Sequence, residues 1–75
     1  MHRGITKAQV EMLRDRYPIG TIVVLDSMDD PTAPPEGTKG IVQFVDDIGT
    51  VHVAWESGGS LGVVYGVDRI HRAEI

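Results

Sequence analysis

The chain has no cysteine in its 75 residues, which excludes disulfides and thiolate metal sites. It has no asparagine either, so it carries no N-glycosylation sequon. No apolar run approaches the ~20 residues needed to span a bilayer. The opening stretch MHRGITKAQVEMLRD lacks the apolar centre of a signal peptide. These absences lead to the expectation of a soluble protein in a reducing cytoplasm, with no membrane partner. Basic residues are few: 7 Lys and Arg stand against 11 Asp and Glu, a net charge of −4. That balance opposes non-specific attraction to DNA or RNA, which needs a basic face. Nucleic acid is therefore not an expected partner.

A chain of this length holds one domain and buries only roughly 60–65% of its unfolded surface. Small domains gain stability from disulfides, metals or a partner subunit. With disulfides excluded, self-association is the expected route. The bases are also unevenly placed, with Arg3, Lys7, Arg14 and Arg16 all near the start. They read as a solvated helix face, or as a small docking patch for an acidic partner or a phosphate.

Thr6-Lys7-Ala8-Gln9 fits a capping box with Thr6 as N-cap. Val10, Leu13 and Tyr17 follow at helical spacing. Pro18 disfavours helical geometry at Tyr17, so the spacing predicts a short amphipathic helix over 6–16. Beyond Gly20 the period becomes two. Strands are expected at Thr21–Asp26, Gly40–Asp46, Thr50–Glu56 and Ser60–Tyr65, with a short last one near Ile70. Asp46-Asp47-Ile48-Gly49 suits a bulged hairpin with a left-handed Gly. Ser57-Gly58-Gly59 is a second tight turn. Five short strands joined by Gly turns indicate an all-β fold, a small SH3-like barrel with a short N-terminal α-helix. The division is a flexible terminus 1–5, a helical segment 6–17 and a barrel 18–75. The proline-stiffened stretch LDSMDDPTAPPEGTKG becomes the long first connection.

The series Leu25, Ser27, Met28, Asp30, Pro31; Pro35, Gly37, Gly40, Val42; Val45, Asp46, Asp47, Gly49; His52, Val53, Trp55; Ser60, Leu61; Gly66, Asp68 resembles the motif pattern of a family of small uncharacterised domains. That family occurs in bacteriophages, prophages and other mobile elements. The resemblance covers roughly residues 13–72. It implies an SH3-like barrel and a mobile-element origin, and it implies no reaction.

Several constellations invite chemistry. Asp26, Asp29 and Asp30 suggest calcium, but DSMDDPTAPPEG places Pro31 where an EF-hand loop needs Gly, and Glu36 one position early. Asp30 before Pro31 is better read as a turn cap. Gly58-Gly59-Ser60-Leu61-Gly62 spells Gly-x-Ser-x-Gly, yet it lies in a hairpin and lacks the strand–elbow–helix context of a nucleophile. His2, His52 and His71 lack metal-ligand spacing. His52 falls on the strand face opposite Trp55 and is either solvated or a ligand contact. Trp55 shares its face with Val51 and Val53, which favours core packing, although Trp is also a common recognition residue. Met28 can plug the barrel or meet a partner. Lys39, next to exposed glycine amides, can meet an anion, and Arg69 can play the same part.

The expected function is binding rather than catalysis, with no cofactor and no metal. The chain is expected to dock a host or phage protein through the first connection and the Trp55 edge. The alternative is an oligomer that sequesters an anionic nucleotide. The candidate contacts are Met28, Asp29, Asp30, Lys39, His52, Trp55, Ser60 and Arg69.

Overall fold

The computed structural model describes residues 5–73. One helix, α1 (Lys7–Arg16), precedes five strands: β1 (Ile22–Ser27), β2 (Lys39–Val45), β3 (Thr50–Trp55), β4 (Ser60–Val64) and β5 (Arg69–Arg72). The strands form one antiparallel sheet in the order β4-β3-β2-β1-β5. Its two edge strands are consecutive in sequence, and the short turn between them bends the sheet towards closure. The result is the small all-β, barrel-like domain with one N-terminal helix that the sequence predicts.

The helix begins as its residues dictate. Thr6 Oγ1 accepts from the Gln9 backbone N–H, and Gln9 Oε1 accepts from the Thr6 backbone N–H. Two otherwise orphaned donors are thereby satisfied. Tyr17 leaves helical geometry ahead of Pro18. Val10, Leu13 and Tyr17 turn into the core and meet Val23 and Leu25 of β1, Val42 and Val45 of β2, Val51, Val53 and Trp55 of β3, and Val63 of β4. The helix thus packs on its own sheet and closes one side of the barrel. Of the segment expected to be flexible, residues 1–4, including His2, lie outside the described residues, and Ile5 packs against the core.

The strand ends differ from expectation by a residue, but β2 holds one larger departure. Strict alternation along GIVQFVD places Val42 and Phe44 on the same face. A register shift between Val42 and Phe44 resets the alternation, as a β-bulge does. Val45 therefore turns inward and Phe44 outward. Gly40 faces inward where β2 crosses Trp55. A Cβ there would lie 2.4 Å from Val53 Cγ1 and 2.7 Å from Trp55 Cε3, so only glycine admits this approach. Gly49 closes the β2–β3 turn at φ +83°, the left-handed geometry expected of it.

Candidate recognition surface

The first connection, residues 28–38, is held by its own hydrogen bonds. Asp30 Oδ1 accepts from the Thr32 backbone N–H at 2.8 Å and from Thr32 Oγ1 at 2.7 Å. These bonds hold the Asp30 carboxyl below its ordinary value. Thr38 donates twice to the Pro35 carbonyl. Leu25 donates to Thr38 and Gly37 to Leu25, which extends the β1–β2 ladder into the connection. Met28 is half-buried and packs on the core. Asp29 is exposed, but its backbone N–H donates to Asp68 Oδ1 at 2.9 Å. Asp68 Oδ2 accepts from the Val64 N–H at 2.9 Å. One carboxylate thus fastens the first connection to the β4–β5 turn.

The remaining candidates separate. Trp55 is 4% exposed, and its Nε1 donates to the Leu61 carbonyl at 3.3 Å. It is a core residue, as the face it shares with Val51 and Val53 predicts. His52 lies on the outer face of β3, where its ring stacks on Phe44 with centroids 4.3 Å apart. Its Nε2 bonds Asp46 Oδ2 at 2.8 Å. Asp46 Oδ1 accepts from the backbone N–H groups of Ile48 and Thr50. Desolvation pushes the Asp46 carboxyl up, but the bonds from His52, Thr50 and Ile48 outweigh it and leave the group below its ordinary value. Ser60 is exposed at the start of β4, and among the described residues no hydrogen bond joins it to His52. Lys39 is exposed at the start of β2. Among the described residues no group of three or more His, Asp or Glu side chains is placed to hold a metal ion.

Arg69 belongs to a different feature. An open cleft of about 630 Å³ runs between α1 and the β4–β5 end of the sheet. Leu13, Tyr17, Val51 and Val63 form its floor. Met12 and Arg16 line it from the helix, Tyr65 and Gly66 from the turn, and Arg69 and Ile70 from β5. Two carboxylates also line it, and both are already engaged. Asp68 holds the two amides described above. Asp26 accepts from His71 Nδ1 at 2.8 Å. The arginines differ: among the described residues neither Arg16 nor Arg69 forms an ion pair. Arg14, one turn-step away from the cleft, is consumed by Asp47 at 3.0 Å and by the Val45 carbonyl. The cleft therefore presents an apolar floor, a Tyr65 that is 46% exposed, and two guanidinium groups that form no ion pair among the described residues.

Arg16, Tyr65 and Asp68 line this candidate cleft, and the sequence reading did not select them as contacts. Arg16 was legible only as part of a basic helix face. Nothing in the sequence places it opposite Tyr65 and Arg69, because that meeting depends on how α1 crosses the sheet.

A family model described as a domain of unknown function, DUF4314, matches residues 6–73. No curated protein and no solved structure matches the chain.

Proposed function

The chain belongs to the DUF4314 family, and from that premise we propose that it is a non-catalytic binding module of a phage or other mobile element. It is an SH3-like barrel that docks a host or phage protein. The mobile-element origin rests on the motif resemblance. The docking role rests on one observation: Arg16 and Arg69 flank a cleft with an apolar floor, and among the described residues neither has a carboxylate partner. Planar guanidinium groups with free donors match carboxylates bidentately. An apolar floor beside them suits an aliphatic or aromatic side chain of the same partner segment. The segment expected is therefore acidic and apolar together, and it approaches the cleft rather than Trp55. The first connection supports the cleft from behind through Asp68.

The cleft volume favours a second reading. About 630 Å³ falls within the roughly 300–1,000 Å³ of small-molecule sites, and an anionic nucleotide would use the same two arginines. One set of variants separates the readings. Arg16→Glu with Arg69→Glu releases a partner captured from host lysate, whereas Asp29→Ala retains it. A double reversal that kept every partner would remove the cleft from consideration. Nucleotides that raise the melting temperature of the wild type but not of the reversed variant would select the second reading, since a bound ligand stabilises by mass action.

A further inference from the structure

A second surface, sharing no residue with the cleft, carries a separate inference. On the outer face of the sheet Ile22 pairs with Ile41, and Ile41 pairs with Ala54. An apolar row thus crosses three strands on the side away from the core, where an antiparallel sheet normally turns polar residues to water. Ile41 is 48% exposed and Phe44, further along β2, is 49% exposed. At the other end of the row Lys39 and Glu56 oppose each other, with the Glu56 N–H donating to the Lys39 carbonyl at 2.9 Å. Both side chains are exposed, and among the described residues neither forms an ion pair.

We propose that this face is a two-fold interface with a second copy of the chain. The pattern is self-complementary about an axis running along the strands between β2 and β3. Rotation about that axis exchanges the β2 positions with their β3 partners. Lys39 of one copy then meets Glu56 of the other, Ile41 meets Ala54, and Phe44 meets His52. Each match is repeated by symmetry, as a closed isologous contact requires. Opposite charges meet at one end, a large aliphatic side chain meets a small one in the middle, and aromatic rings meet at the other end. A hetero-partner has no reason to need both signs of charge at equivalent positions. A second copy does, and a domain with so small a core gains stability from burying the row.

Sedimentation equilibrium on the intact chain tests the proposal. The wild type forms dimers. Lys39→Glu alone and Glu56→Lys alone each place like charges together twice per dimer and raise the dimer dissociation constant about tenfold or more. The double variant Lys39→Glu with Glu56→Lys swaps the signs and restores dimerisation. Circular dichroism of these surface variants confirms that each remains folded. A wild type that stays monomeric at its highest soluble concentration overturns the interface. So does a dimer indifferent to both single reversals, or a double variant no better than the singles. The cleft variants Arg16→Glu and Arg69→Glu leave the dimer intact, so failure here is distinct from failure of the docking reading.

Discussion

Asp68 Oδ1 accepts the backbone N–H of Asp29 at 2.9 Å across 39 positions of sequence. The same side chain takes the Val64 N–H through its other oxygen. A connection and a turn that share no strand are thus held by one carboxylate. Charge-assisted bonds of this kind are stronger than neutral ones. They hold Asp68, which lines the cleft beside Arg69 in sequence.

Replacing Asp68 by Ala leaves two amides without their acceptor. Both bonds are exposed, so water replaces the lost acceptor and the expected cost is about 0.5–1.5 kcal/mol, read by urea denaturation. Hydrogen exchange of the Asp29 and Val64 amides accelerates in the variant, while the β2–β3 ladder keeps its protection. Unchanged exchange at both amides would show that the tether contributes nothing in solution.

Gly40→Ala tests the close approach of β2 to Trp55. The added methyl meets Val53 Cγ1 and Trp55 Cε3 at distances no real contact adopts. Overpacking of this sort costs about 1–3 kcal/mol. The indole, buried in the native chain, shifts its fluorescence maximum as it is displaced. A variant as stable as the wild type, with an unmoved emission maximum, would refute the steric account.

Asp46 gives the domain an acid limb. Its folded carboxyl lies below the ordinary value of 3.8 because His52, Thr50 and Ile48 hydrogen-bond its ionised form. A depressed acid stabilises the fold fully above its unfolded value, and that contribution disappears as pH falls through the lower folded value. Stability should therefore decline below about pH 4. Asp46→Asn should flatten that decline while lowering stability at neutral pH. Asp30 is shifted in the same direction by Thr32, so Asp30→Asn serves as the companion variant. Denaturation curves at neutral and acidic pH decide it: an Asp46→Asn variant with an undiminished acid limb assigns the decline elsewhere.

What the sequence made legible and what it hid divide along the range of the interactions. The capping box at Thr6 and Gln9 is local, and both of its bonds are present. Alternation in β3 is local as well and put Val51, Val53 and Trp55 inside. Gly49 at positive φ is a property of one turn. The β2 bulge was not legible, because QFV alternates equally well in either register and only pairing with β3 chooses. The cleft was not legible either: Arg16, Tyr65 and Arg69 become neighbours through helix placement, which depends on contacts across most of the chain. Trp55, whose strand face favoured core packing, is buried, and Met28, open between packing and partner contact, packs on the core, because a lone apolar residue in a polar stretch signals burial and recognition alike.

The helix is the last element to test, because it both seals the core and supplies Arg16 to the cleft. Leu13 is buried against the sheet and forms part of the cleft floor. Leu13→Ala removes that contact and leaves a cavity, at an expected cost of about 2–5 kcal/mol. Thr6→Ala, at the exposed cap, is expected to cost about 0.5–2 kcal/mol. If α1 is an integral wall of the barrel, Leu13→Ala lowers the midpoint of a single cooperative transition seen by both far-ultraviolet circular dichroism and Trp55 fluorescence. If instead the helix only rests on the sheet, ellipticity falls at lower denaturant than fluorescence does. Coincident transitions in the variant support the first arrangement; separated ones would detach Arg16 from any fixed position beside Arg69.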